Sequence, residues 1–271
     1  MRSQSLERGL AVLSAFGAGV PELGVSELAR TVGLTRSTSH RYAATLARLG
    51  YLQQDPWTRK YRLGPRVLDL GFAAISSMEI RQISAPHLRQ LSDETGHTVS
   101  LAVLDGLDIL YIDRCRAHRS GQEVDLNLHA GSRLPAYCTS MGKVLLAHLP
   151  VCERAKLLDR IDFAERGPNT IVERRALVAE LERVRARGLA VNNEELAYGL
   201  RSIAAPVRGH DGAVVAAINI ADHGTASSVD ELVARLGPAL RRTAGEISAG
   251  LGYRPLAPAA RDGGRRVAAA P

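Results

Sequence analysis

Ser140-Met141-Gly142-Lys143 has the S-x-x-K form, in which a serine nucleophile and a lysine sit one helical turn apart on one face. Acyl-transfer enzymes of that kind also need a second polar triplet and a late Lys-Thr-Gly strand. Lysine occurs only at Lys60, Lys143 and Lys156, so the late lysine does not exist, and the pattern reads as a helix start followed by a surface lysine. Cys115 and His118 have a ligand-like spacing, with His129 and Cys138 further along. Structural zinc sites present tighter pairs of the C-x2-C and H-x3-H kind, so no metal site is expected. The adjacent carboxylates of Glu194 and Glu195 would face different ways, which argues against an acid–base pair. No G-x-x-x-x-G-K-[ST] phosphate loop occurs. No catalytic residue and no cofactor is assigned.

A different chemistry is offered between residues 35 and 60. Arg36, Ser37, His40, Arg41 and Arg48 recur on one face of a helical stretch, while Ser39, Tyr42, Ala43, Leu46 and Leu49 fall on the other and would pack inward. An exposed face of Arg, Ser and His donates hydrogen bonds to phosphates and to base edges in the major groove. Recognition helices enter that groove N-terminal end first, which singles out Thr35, Arg36, Ser37, Thr38, His40 and Arg41. Arg59 and Lys60, at a turn-prone tip, would lie over the backbone or the minor groove. Residues 1–79 hold ten Lys or Arg against six Asp or Glu, a net of +4.

The elements that must position these side chains are readable. Leu6, Leu10, Leu13 and Phe16 recur at helical spacing, with Ser5 placed to cap and Gly17 to stop the helix. Ser26 is expected to cap a second helix carrying Leu28, Ala29 and Val32 inward. Gly33 supplies a left-handed break, and Thr35 caps a third helix to about Leu49, which makes a helix-turn-helix. Two short strands around Asp55–Lys60 read as a β-hairpin wing. Pro65 then opens a helix carrying Val67, Leu68, Phe72 and Ile75, read as a connector. From Ile80 the pattern mixes helices and hairpins. Helices are expected over Ile80–Thr95, Ser140–Ala147, Cys152–Leu158, Val172–Arg187 and Val229–Ala249. Strands are expected over Thr98–Leu104, Ile109–Cys115, Ile203–Val207 and Val214–Ile220, which makes an α+β domain. The boundaries drawn are a winged helix-turn-helix over 1–64, a linker helix over 65–79, a larger domain over 80–253 and a disordered tail over 254–271.

The 271 residues carry a formal charge of +7, which suits a polyanionic partner. No apolar run reaches the ~20 residues that span a bilayer, the first residues do not read as a signal peptide, and three scattered cysteines do not make a disulfide framework. A cytoplasmic protein without a membrane partner is expected.

Several separated segments resemble the IclR-type transcription regulators. They are Ser5-Leu6-Glu7-Arg8-Gly9-Leu10-Ala11-Val12-Leu13, Ser26-Glu27-Leu28-Ala29-Arg30 through Leu49-Gly50-Tyr51-Leu52, Leu134-Pro135-Ala136-Tyr137, Thr139 to Ala147, Glu194-Glu195 with Gly199 to Val207, and Ala216-Ala217-Ile218-Asn219. The likeness covers nearly all of residues 5–250. It implies a winged helix-turn-helix joined to a GAF-like effector domain, dimerisation through the DNA-binding halves, and assembly as a dimer or tetramer. Leu-Asp-Leu-Gly after the wing and Arg-Leu-Pro-Ala-Tyr resemble the branch that controls aromatic-acid catabolism through the β-ketoadipate route. The same resemblance places an effector pocket at Ala136, Tyr137, Ser140, Met141, Gly142, Asn192, Leu200, Ser202 and Asn219. Some family members carry an acidic residue where Asn192 stands. A helix start near Ser140 offers amide donors to a carboxylate, while Tyr137 and Met141 offer apolar contact to a ring. The partners expected are a double-stranded operator and a small organic acid. Two other readings stay open: a distal domain that only oligomerises, and the serine acyl-transfer enzyme weighed above.

Overall fold

A computed structural model describes residues 3–17, 20–116, 128–223 and 228–254, with the side chains of Phe72, Ile75, Ser76 and His223 outside that description. His118 and the expected disordered tail beyond Arg254 also lie outside the described residues. The chain divides into two compact units, Met1–Met78 and Glu79–Pro271.

In the first unit, helices α1 (Gln4–Ser14), α2 (Val25–Val32) and α3 (Arg36–Arg48) precede a hairpin of β1 (Leu52–Gln54) and β2 (Tyr61–Leu63), and α4 (Pro65–Ser76) follows. Val12, Phe16, Leu23, Leu28, Ala43, Leu52 and Tyr61 form one buried cluster. Each large member contributes about 1.5–3 kcal/mol by leaving water. Leu23 and Tyr61 exchange backbone bonds of 2.9 Å, so the hairpin is sewn to the segment ahead of α2. Gly33 takes φ +65°, the left-handed turn that separates α2 from α3.

Two expected caps are corrected. Ser26 lies inside α2, whose cap is Gly24, with the Gly24 N–H donating to the Glu27 carboxylate at 2.8 Å. Ser5 lies inside α1, and Ser3 holds the cap position. In both cases the helix begins one residue ahead of the serine, at Gln4 and at Val25, and at the α2 start the downstream Glu27 carboxylate meets the Gly24 N–H in place of a capping side chain.

The second unit holds α5 (Glu79–Thr95), β3 (Thr98–Asp105), β4 (Asp108–Cys115), β5 (Arg133–Pro135), a 3-10 turn (Ala136–Cys138), α6 (Ser140–His148), α7 (Val151–Leu158), α8 (Arg174–Arg187), β6 (Ala190–Asn193), β7 (Leu200–Arg208), β8 (Val214–His223) and α9 (Val229–Gly250). The strands form one antiparallel sheet in the order β5-β4-β3-β8-β7-β6. Strands β5 and β6, with three and four residues, are additions to the expected set. Helices α5 and α9 pack on each other and on the sheet, while α6 packs on the sheet and on α8.

Alternation along the strands sorts the two faces. Val99, Leu101, Ile203, Val207, Ile218 and Ile220 are fully buried on one face. The register aligns Thr98, Ser100 and Ala102 with Ala221, Asn219 and Ala217, and these with Ser202, Ala204 and Pro206, on the other face. Small and polar side chains on that face leave space beneath α6.

Candidate nucleic-acid interface and ligand cavity

Thr35 caps α3, its Oγ1 accepting from the Thr38 N–H at 3.3 Å and donating to the Thr38 hydroxyl at 2.9 Å. These bonds make Thr35 and the half-buried Thr38 shapers of the helix start. Arg36, Ser37, His40 and Arg41 are exposed, and the first three border a shallow depression with Val25. The Arg41 guanidinium lies 5.9 Å from the Tyr42 ring. On the inner face Ser39 and Ala43 are fully buried and Tyr42 and Leu46 pack on the same core. Leu49, expected inward, is 44% exposed, because α3 ends at Arg48 and the chain turns there.

The wing tip is tied by Asp55, whose Oδ1 accepts from the Trp57 N–H at 2.9 Å and from the Thr58 N–H at 2.7 Å and hydroxyl at 3.1 Å. The Thr58 and Trp57 amides hold the Asp55 carboxyl below its usual range. Arg59 and Lys60 are exposed there, as the sequence implies.

The second unit holds a cavity open to solvent on one side, with about 430 Å³ of free space when the solvent in its mouth is included, lined by Tyr111, Arg114, Leu128, Leu134, Thr139, Ser140, Met141, Asn192, Leu196, Leu200, Ser202, Asn219 and Ala221. Helix α6 starts here because Thr139 is extended and its Oγ1 accepts from the Gly142 N–H at 3.2 Å. The Ser140 and Met141 amides, in the first turn, have no intrahelical acceptor and sit at the positive end of the helix. Ser140 and Ser202 share a 2.7 Å hydroxyl bond. Asn219 is 6% exposed, and its Oδ1 finds no hydrogen-bond partner among the described residues. A buried acceptor left this way is costly unless something in the cavity meets it.

Six of the nine expected pocket residues therefore converge: Ser140, Met141, Asn192, Leu200, Ser202 and Asn219. Asn192 is mostly committed to the scaffold, its amide donating to Cys138 O at 3.0 Å and accepting from the Glu195 N–H at 3.0 Å. Ala136, Tyr137 and Gly142 do not line the cavity. Tyr137 turns away, donating to Ala164 O and meeting Phe163 edge to face at 5.5 Å. Gly142 serves close approach, since a Cβ there would stand 2.1 Å from Ala136 O.

Sequence reasoning missed Tyr111 and Arg114, along with Leu128, Leu134, Thr139, Leu196 and Ala221. A bulge between Leu101 and Ala102 in the β3–β4 register pairs Ser100 with Arg114 but Ala102 with Tyr111. The two residues, three apart, consequently share the cavity face. Burial pushes the Tyr111 phenol up to about 12, so it stays a neutral hydrogen-bond donor.

The S-x-x-K pattern is taken apart by its partners. Lys143 is 1% exposed and its ammonium bonds the Glu195 carboxylate, while Ser140 bonds Ser202. The lysine is buried where a surface position was expected, because α6 is covered by the sheet on one side and α8 on another. Glu194 turns to Arg201 at 2.9 Å, away from Glu195. Burial pushes the Cys138 thiol up to about 11, which leaves it inert. Among the described residues, no cluster of three His, Cys, Asp or Glu could hold a metal, and no helix is long and apolar enough to cross a membrane.

Residues 5–56 match the IclR helix-turn-helix domain, and residues 72–249 match the bacterial transcriptional regulator IclR C-terminal family. The chain belongs to the IclR family of bacterial transcriptional regulators. The Pca regulon regulatory protein of Pseudomonas putida is 39% identical over 236 residues, 87% of this chain and 80% of that one. The crystal structure of a Rhodococcus sp. RHA1 protein described as a transcriptional regulator is 40% identical, with a TM-score of 0.79 over 92% of this chain and 98% of that one. An IclR homolog of Microbacterium hydrocarbonoxydans, complexed with 4-hydroxybenzoate, is 25% identical, with a TM-score of 0.77 over 92% and 99% of the two chains. This IclR-family chain is thus a DNA-binding transcriptional regulator with a winged helix-turn-helix and an α+β C-terminal domain, and its relatives are regulators rather than enzymes.

Proposed function

We propose that this regulator reads its operator through the start of α3 and is controlled by a small aromatic carboxylic acid held under α6. The observation that carries the reading is the cavity itself. Its walls are apolar at Met141, Leu128, Leu134, Leu196 and Leu200, and the polar groups of Tyr111, Arg114, Ser140, Ser202 and Asn219 converge on the same space. The amides opening α6 and the Arg114 guanidinium favour a carboxylate. The neutral Tyr111 phenol and the Asn219 carbonyl oxygen suit a ring hydroxyl. The complex of the Microbacterium homolog with 4-hydroxybenzoate and the likeness to the Pca regulon regulatory protein support an acid of that class.

Arg36, Ser37, His40 and Arg41 contact base edges and phosphates, while Arg59 and Lys60 grip the backbone. Thr35 and Thr38 hold the helix start in shape. Leu6 and Leu10, one turn apart on α1, are more than half exposed, an apolar strip that supports pairing through the first unit. A symmetric dimer, alone or within a tetramer, then reads half-sites about one helical turn apart, or multiples of it. The protein works in the cytoplasm, where its DNA is. The acid shifts operator affinity only as far as it binds the two states of the regulator unequally.

The test is fluorescence anisotropy of labelled DNA from upstream of the protein's own gene, titrated with protein, with and without protocatechuate or 4-hydroxybenzoate. Salt-sensitive binding that the acid shifts in the wild type and not in Arg114→Met is the expected result. Binding indifferent to both acids would discard the ligand class and favour a purely oligomerising distal domain. Affinity no better than for random DNA would discard the operator.

A further inference from the structure

The wing tip carries the single tryptophan of the chain, Trp57, and it stands 90% exposed. Lone exposed apolar residues are ordinary on protein surfaces. Two features separate this one. Its backbone is immobilised: besides the Asp55 bonds, the Arg59 N–H donates to Asp55 O at 3.0 Å and the Gln54 side-chain amide donates to Arg59 O at 2.9 Å. These ties hold Arg59 at φ +60°, a left-handed conformation that costs a non-glycine residue. The second feature is charge. Arg59, Lys60 and Arg62 follow Trp57 within five positions, and Asp55 is the only acid between Glu27 and Asp69. That carboxylate already accepts three hydrogen bonds within the loop. An exposed aromatic ring carried on a tied turn and flanked by cations is complementary to a polyanion with apolar surface between its charges.

We propose that Trp57 enters the minor groove beside each half-site, indole edge first, with Arg59 and Lys60 on the phosphates of the groove walls. The groove is about 6 Å wide, enough for a flat ring. Its floor presents acceptors at A·T pairs, and the guanine amino donor is added at G·C pairs. The indole N–H is only a donor. It pairs with an A·T floor and opposes the amino group of a G·C floor. Trp57 therefore gives the regulator a preference for A·T flanks that the major-groove helix does not supply. The inference rests on the DNA-binding reading above and extends it to a second, minor-groove determinant.

Because no other tryptophan is present, emission from the full-length protein reports on this tip alone. Operators recovered by selection from random duplexes would be end-labelled and titrated, with anisotropy reading binding and acrylamide quenching of Trp57 reading burial of the tip. On A·T-flanked duplexes quenching should fall as anisotropy rises. Trp57→Ala should weaken binding about tenfold on A·T flanks and hardly at all on G·C flanks. Inosine in place of flanking guanine, which removes the amino group, should raise wild-type affinity on those duplexes to the level seen with A·T flanks. Trp57→Phe keeps the ring and the turn but lacks the donor, so it should lose the flank preference while retaining more affinity than Trp57→Ala. Binding with unchanged quenching, or equal losses on both flanks, would overturn the minor-groove assignment and leave DNA binding standing. Absence of binding to any duplex would remove both.

Discussion

Replacing Lys143 by Met strands the carboxylate of Glu195. The lysine is 1% exposed and its ammonium bonds Glu195 Oε1, while Oε2 finds no hydrogen-bond partner among the described residues. Burial already holds the Glu195 carboxyl above its usual range, and the Lys143 charge pulls it back. Without that charge the carboxyl can stay ionised in a dry site or take a proton. The second route caps the damage. Protonating a group whose ordinary value is 4.5 at pH 7 costs about 3.4 kcal/mol, at about 1.36 kcal/mol per pH unit. At pH 5.5 the same route costs only about 1.4 kcal/mol. The folded pKa of Glu195 in the variant lies above the unfolded one, so stability is intact below 4.5 and is lost as pH rises from there. Urea denaturation at pH 5.5 and 7 should show a deficit that grows with pH toward about 3 kcal/mol, in line with broken buried pairs elsewhere. Lys143→Met combined with Glu195→Leu should recover most of it. A deficit under about 1 kcal/mol, or one equal at both pH values, would refute the claim that these charges depend on each other in a buried site.

Arg41→Ala should weaken operator binding by about 1–3 kcal/mol and relax base preference, read by anisotropy, whereas unchanged affinity would remove Arg41 from the contacts. Ser202→Leu fills the space beside the Ser140 hydroxyl. It should abolish the response to the acid and spare operator binding, and loss of both would make the position structural. Gly142→Ala must displace Ala136, whose carbonyl oxygen would lie 2.1 Å from the new Cβ. It should cost about 1–3 kcal/mol in urea denaturation together with effector affinity by calorimetry. Burial holds the His148 pKa below its ordinary 6.5, with Nδ1 bonded to Val144 O at 2.9 Å. The unfolded chain then binds more protons between the two values, so stability falls as pH drops below 6.5. His148→Gln should flatten that part of the pH profile, and an unchanged profile would show His148 to be innocent of it.

In the first unit, the pattern of Leu28, Ala29 and Val32, the left-handed Gly33 and the capping Thr35 stand within a turn or two of what they control. Helix spacing and cap chemistry act over that range, so the helix-turn-helix and the exposed basic face were legible. The caps of α1 and α2 were misread because Ser3, Ser5, Gly24 and Ser26 all carry similar local signals, and the backbone geometry a residue further on selects among them. Segments resembling the IclR family supplied six of the thirteen cavity-lining residues, but not the arrangement that makes a cavity.

That arrangement is tertiary. Tyr111 and Arg114 share a face only because one residue bulges out of β4 opposite β3, which no alternation of apolar and polar residues announces. Tyr137 looked like a pocket residue until Phe163 and Ala164 took its ring and hydroxyl. Lys143 read as a surface cation and is among the most buried side chains, because Glu195, far along the chain, meets it there. The sequence by itself determined the local elements, the basic reading helix and the membership of the family, since those depend on neighbours within a few turns. Only the tertiary structure decided which side chains face the cavity and which charges are buried. Both depend on β3 pairing with β8 and α6 lying across them, contacts between segments that carry no mark of one another.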